Sequence, residues 1–303
     1  MKRKKKLWIT AATLSTLLIV GTAIPIFAQN DGYELYKQAL KNTHKVKSAN
    51  SSFEALMKDN GELVQKVDMK TKYNVNDAIG QADLTVESAN QKMDLTIYYQ
   101  DHDFMIQNDE VETNYIIEGR EYSAEEKKEV FAKHHNPELL SLIEKVFDTL
   151  TFPTHDEFLV SNENGLKTIS VDLPYEEIPS VIQQGGQYMV KKMLQSHENA
   201  TMTTADYPFL NEDFTVKAPI LVDDIKVEHV KIKAVLTDDQ MIQDQEVFAQ
   251  VSGIDKDGYK HLLEYELNMD YSNINDTDVK PIDFSTYQAV LLDQSQFKHH
   301  KFH

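Results

Sequence analysis

Gly258-Tyr259-Lys260-His261-Leu262-Leu263-Glu264-Tyr265-Glu266-Leu267-Asn268-Met269-Asp270-Tyr271 is the stretch on which the fold turns. Leu263, Tyr265, Leu267, Met269 and Tyr271 alternate with Glu264, Glu266, Asn268 and Asp270. A period of two places one set on a buried face of a strand and the other in water. Outward from it, Val227 to Leu236 and Gln245 to Ile254 read as two further strands. The turn Asp255-Lys256-Asp257-Gly258 offers the Asp and Gly that a tight hairpin uses for positive φ angles, so antiparallel neighbours are expected.

A similar meander lies nearer the N-terminus. Ser52 to Lys58 and Glu62 to Val75 flank Asp59-Asn60-Gly61, a strong hairpin turn. Segments follow at Gln81 to Ser88, Met93 to Tyr99, Phe104 to Gln107 and Thr113 to Glu118, separated by Asn- and Asp-rich turns. Before them, Tyr36, Ala39, Leu40 and Thr43 stand at helical spacing and predict an amphipathic helix from Tyr33 to Val46. Between the meanders the period changes. Ser123-Ala124-Glu125-Glu126 is a capping box, and Leu139, Leu140, Ile143, Val146, Phe147 and Leu150 form an apolar helix face. Phe158 to Ser161 and Lys167 to Leu173 make a hairpin about Asn164-Gly165. A helix is expected from Pro174 or Pro179 to Gln195, carrying Ile178, Ile182, Met189 and Met193 on one side. Its Gly185-Gly186 pair signals a kink or a close approach, and packing on the sheet is preferred to a ligand there. Ser196 to Thr204 reads as loop.

These elements predict an α+β protein: one antiparallel curved sheet, a half-barrel, with helices packed on its concave side. Its expected limits are 29–289, after a leader or anchor at 1–28 and before a polar tail at 290–303.

The leader is the clearest address. Lys2-Arg3-Lys4-Lys5-Lys6 precedes Leu7 to Ala28, which carries no charge, and Pro25 breaks the run before the small Ala28. Export is the expectation, with a cleaved signal peptide preferred to an uncleaved anchor. The run exceeds the usual ~7–15-residue apolar region and approaches the ~20 residues of a membrane span, so both readings stand. In 303 residues, 31 basic and 49 acidic side chains leave a formal charge of −18. A body this acidic repels phosphate backbones, which excludes nucleic acid as the expected partner. With no cysteine, thiol catalysis, disulfides and a lipid-modified cysteine are excluded.

No catalytic signature is present: Gly-x-Ser-x-Gly, His-Glu-x-x-His, a P-loop and Gly-x-Gly-x-x-Gly are all absent. Among 49 acids any glycosidase-like pair is unselective. Asp255 to Gly258 has the wrong glycine spacing for an EF-hand. His134-His135 and His299-His300 with His303 lie where no rigid frame is expected, and no metal or other cofactor is predicted. Aromatic and Met side chains are the remaining clue. Tyr98, Phe104, Met105, Ile143, Phe147, Ile182, Met189 and Tyr265 are the candidates to line an apolar cavity between sheet and helices, against the plainer reading that they fill the core.

The helix Tyr33 to Val46 leading to Ser51-Ser52-Phe53-Glu54-Ala55, and Met93 to Tyr99 followed by Phe104-Met105-Ile106, resemble exported proteins of the LolA/LppX-like lipoprotein-carrier superfamily. So does the ending from Gly258 to Glu266 through Asp278-Val279-Lys280-Pro281-Ile282-Asp283. The resemblance is one of pattern over about Tyr33 to Ser285. It implies a half-barrel whose concave side, closed by helices, holds lipid or acyl chains. It assigns no residue a role, and the chain lacks the lipid-anchoring cysteine. The expected activity is therefore non-enzymatic binding of a lipid or other apolar ligand outside the cytoplasm. The alternative is a membrane-anchored sensing domain regulating a membrane protein.

Overall fold

A computed structural model describes residues 31–88, 90–101, 103–119, 157–163, 165–180, 182–187, 190 and 200–292. The leader, the capping box, Ile143, Phe147, Met189 and the C-terminal histidines lie outside the described residues.

The described chain opens with helix α1 (Asp31–Thr43) and a six-strand meander: β1 (Ser48–Asp59), β2 (Glu62–Asn74), β3 (Ile79–Ser88), β4 (Gln91–Gln100), β5 (Asp103–Asn108) and β6 (Val111–Ile117). The hairpin β7 (Leu159–Glu163) and β8 (Leu166–Pro174) comes next, then a short ribbon of β9 (Ala200–Met202) and β10 (Phe214–Val216). The second meander is β11 (Leu221–Leu236), β12 (Ile242–Asp255) and β13 (Lys260–Ser272), and the described chain ends in β14 (Ala289–Leu292).

Twelve strands form one sheet in the order β14-β6-β5-β4-β3-β2-β1-β13-β12-β11-β8-β7. The two meanders are joined by β1 and β13, antiparallel from Asn50 opposite Ser272 to Asp59 opposite Leu263. Every neighbouring pair is antiparallel except β14 on β6, which is parallel. The terminal strands β14 and β7 do not pair with each other, so the sheet stays open rather than closing into a barrel.

Alternation carries one apolar face across the sheet. Leu84 faces Leu95, Met69 faces Phe53, Ala55 faces Leu267, and Val247 faces Ile232, which faces Val171. Side chains from both meanders belong to one contiguous core, covered by Met202, Phe209, Leu210, Phe214 and Val216. Burying each such side chain contributes about 1.5–3 kcal/mol. The covering ribbon is pinned by polar bonds: Gln91 Nε2 donates to the Asp213 carbonyl at 2.8 Å, and Asn108 Nδ2 to that of Phe209 at 2.9 Å. On the outer face Lys66 pairs with Glu54 at 3.0 Å and Asp68 at 3.1 Å, half-exposed contacts that contribute little.

Several expectations are corrected. The helical share of the described residues is small; of the two starts expected for the helix after β8, the later one fits, since β8 runs through Pro174, a single 3-10 turn spans Tyr175–Glu177 and α-helical residues begin at 180. Residues 200–202, expected as loop, pair with β10 and cover the core. Helix α1 ends at Thr43 rather than Val46, and Val46 is buried in the link to β1. The stretch expected as a tail begins in β14. In the β1–β2 turn Asn60 and Gly61 both take positive φ, 51° and 87°. In the β12–β13 turn only Gly258 does, at 87°, while Asp255 Oδ1 accepts the N–H groups of Asp257 and Tyr259 at 2.9 and 2.8 Å. That is a type I turn closed by a left-handed glycine, the three-residue solution. Among the described residues no helix is long and apolar enough to cross a membrane.

Candidate functional site

The apolar face is not filled evenly. Where α1 ends, a cavity of about 290 Å³ lies between Leu40, Thr43, His44 and Val46 on one side and Tyr73, Ile242, Gln245, Leu267, Met269 and Tyr271 on the other. Its origin is in the register. Tyr73 on β2 stands opposite Ala49 on β1, and Tyr271 on β13 stands opposite Ser51. Small β1 residues between two large rings leave room that a larger side chain would occupy. The volume is at the lower bound of the ~300–1,000 Å³ of small-molecule pockets, room for a short chain or a segment of a long one.

Helix α1 is held over this cavity by polar contacts. Thr43 Oγ1 donates to the Ala39 carbonyl at 2.8 Å and accepts the Ile242 N–H at 2.7 Å. Gln245 Nε2 donates to the Tyr36 hydroxyl at 2.9 Å, so this buried pair is satisfied. Asn42 Nδ2 reaches the Gln240 carbonyl at 3.2 Å. Burial pushes the Tyr73 phenol up, and burial followed by the neighbouring Tyr73 pushes Tyr271 up. Both rings therefore stay neutral around neutral pH. Among the described residues the lining carries no carboxylate.

The residues expected to line a cavity are dispersed. Tyr98 and Met105 are cross-strand partners, on the face opposite Ile97 and Ile106 of the core. Met105 is fully buried there, and Tyr98 lines a separate outer cavity of about 340 Å³ under Val279, Lys280, Ile282 and Phe284 of the returning C-terminal segment. Phe104 lies on the inner face but is exposed, its ring tilted 43° against that of Tyr99 with centroids 5.0 Å apart. Tyr265 is buried at the hairpin end in a second apolar cluster with Met57, Leu221, Ile225 and Leu263. Ile182 packs on the main core. Among the described residues these five lie on different faces and in different clusters, because the pleat sends adjacent residues to opposite faces. Of the residues that do meet, Met269 and Tyr271 were visible in the alternation, whereas Tyr73, Leu40 and Val46 come together only through pairing across β1.

Gly186, weighed as a close approach, is one to the sheet. A Cβ there would lie 2.7 Å from Val227 Cγ2, while one on Gly185 would meet open space. Gln183 beside it donates to the Val227 carbonyl at 2.6 Å and accepts the Val227 N–H at 3.0 Å, where β11 bulges and loses register with β12.

No family model matches the chain, and no curated protein matches it. Among solved structures it is similar to a LolA superfamily protein from Nitrosomonas europaea, at 6% identity and TM-score 0.23 over 82% of this chain and 94% of that one. It is similar to a β-barrel-like protein of a domain of unknown function from Brucella abortus, at 10% identity and TM-score 0.20 over 75% and 99%. Lipovitellin, in a structure concerned with its lipid–protein interactions, matches at 8% identity and TM-score 0.24 over 78% of this chain and 26% of that one. The chain is thus a weak structural neighbour of a LolA superfamily protein.

Proposed function

We propose that this protein is a non-enzymatic module that binds an apolar ligand, of the kind a lipid acyl chain presents, and that it acts outside the cytoplasm. The observation that carries the reading is the cavity between α1 and Tyr73, Met269 and Tyr271, where Leu40, Val46, Ile242, Leu267 and Met269 stand beside the polar groups of Thr43, His44 and Gln245. Such a lining takes a hydrocarbon segment by dispersion and dehydration and leaves a polar head at the rim. The basic leader and uncharged Leu7 to Ala28 support export.

Full-length protein expressed in a membrane-containing host and examined by native mass spectrometry should carry lipid, and it should take up a fluorescent fatty acid. Met269→Trp, which fills the cavity from a strand position that tolerates aromatics, should weaken uptake about tenfold or more, equivalent to 1.4 kcal/mol or more, with folding retained. Lipid-free protein that takes up no fatty acid ends the proposal, and so does undiminished uptake by folded Met269→Trp. The intact mass from the same measurement reports whether the leader is removed after Ala28. A retained leader favours the membrane-anchored form.

A further inference from the structure

At the end of the sheet opposite the cavity, three ionisable side chains from adjacent strands meet on the apolar face. His261 is near the start of β13, the strand that lies between β1 and β12. Its Nδ1 lies 2.8 Å from Asp59 Oδ2 at the end of β1, and its Nε2 lies 3.3 Å from Asp255 Oδ2 at the end of β12. The three side chains are only 14%, 21% and 17% exposed, respectively. The imidazole thus ties together the tips of two hairpins, β1–β2 and β12–β13. Asp255 is held for the contact, because its other oxygen already accepts two backbone N–H groups of its own turn.

We propose that Asp59, His261 and Asp255 form a proton-operated clasp, closed while the imidazole is charged and loosened when it gives up its proton. Only the imidazolium can donate from both ring nitrogens; a neutral ring turns a lone pair toward one of the two carboxylates. That contact then changes from attraction to repulsion. Beneath the clasp on the same face come Leu263, fully buried, and Tyr265, with Met57, Leu221, Ile225 and Val251 around them. Loosening gives water a route to this second apolar cluster.

Two further atoms bias the clasp toward opening. Asp59 Oδ1 and the Tyr265 hydroxyl are buried without a hydrogen-bond partner in the protein, and Nε2 of His261 meets Asp255 at ion-pair distance without hydrogen-bond alignment. Hydration of an opened tip supplies these groups with the partners they lack in the closed one. Other charges nearby are exposed: Glu62 on β2, Lys256 and Asp257 in the turn, Lys260 on β13, Asp223 on β11 and Lys217 in the segment packed below. Solvent screens them, so the two partly buried carboxylates in contact with the ring dominate the imidazole. Burial alone would lower the His261 pKa, but Asp59 and Asp255 outweigh it and hold it above the ordinary histidine value. The Asp255 carboxyl is pushed up by burial yet held below its ordinary value by the Tyr259 N–H and His261.

The sign follows. The raised histidine contributes stability that is present below its unfolded pKa and lost as pH rises through its folded one. The lowered Asp255 contributes stability present above the ordinary carboxylate range and lost as pH falls through its folded value. The clasp is closed in mildly acidic solution and loosens on the alkaline side of the histidine titration.

The test is an NMR titration of the His261 imidazole in the full chain, assigned by its disappearance in His261→Gln, with hydrogen exchange of residues 57–63 and 253–263 at pH 6 and 8.5. His261 should titrate above the ordinary histidine value. Protection of the two tips, corrected for the intrinsic exchange rate, should fall about threefold or more between the two pH values in wild type and stay level in His261→Gln. Asp255→Asn keeps an oxygen for the turn's N–H groups and removes only the charge, so it folds and should move the His261 titration down. A His261 titration at or below the ordinary value, tips equally protected at both pH values, or an Asp255→Asn titration identical to wild type each overturns the clasp.

Discussion

Asp244 and Asp270 face one another across β12 and β13, two acids at directly opposed positions. Burial, and then Asp270 beside it, push the Asp244 carboxyl up to about 6. Below about pH 4 an ordinary aspartate is already protonated in the unfolded chain, so the pair carries no penalty there. Between there and about 6 the folded state holds a proton that the unfolded state releases, so stability falls as pH rises. Asp244→Asn should therefore raise the urea midpoint at pH 7.5 and leave it unchanged at pH 4. A wild-type midpoint that tracks the mutant's at both pH values would show that the pair does not share a proton. At this scale the sequence is least legible. Asp244 and Asp270 are unremarkable among 49 acids, and only the register of two strands makes them neighbours.

Single elements were read more closely. The turn chemistry of Asn60-Gly61 and the alternation of Leu263, Tyr265 and Leu267 are local, so the residues themselves dictate them. The stripe of α1 is also local: Tyr36 and Ala39 are buried as their spacing requires, and Thr43 bonds to β12. Strand length was less legible, because β8 continues to Pro174, whose lack of an N–H is harmless at a strand end. The helical residues at 182–187 rest on β11 through Gln183, which acts as a substitute strand neighbour for Val227. Gln183→Ala should cost about 1–3 kcal/mol by leaving both Val227 backbone groups unpaired, a loss measurable by chemical denaturation. An unchanged midpoint would mean that water serves Val227 equally well.

For the whole molecule, the decisive contact is β1 against β13, residues more than 200 positions apart paired along most of both strands. Because among the described residues the central strands have neighbours on both sides and the end strands β7 and β14 do not, opening should begin at the ends. Hydrogen exchange should find the β1 and β13 amides the slowest in the chain and those of β7 and β14 much faster. Fast exchange along β1 and β13, with each meander protected by itself, would instead indicate two independently folding halves. Period and turn chemistry alone determined the alternating strands, their hairpins and the covering helix, since each depends on neighbours along the chain. Which meander edge meets which, where small β1 residues leave a hollow, and which carboxylates flank His261 were settled by the tertiary structure. Those outcomes depend on register between distant strands, and a shift of one residue would turn every side chain to the other face.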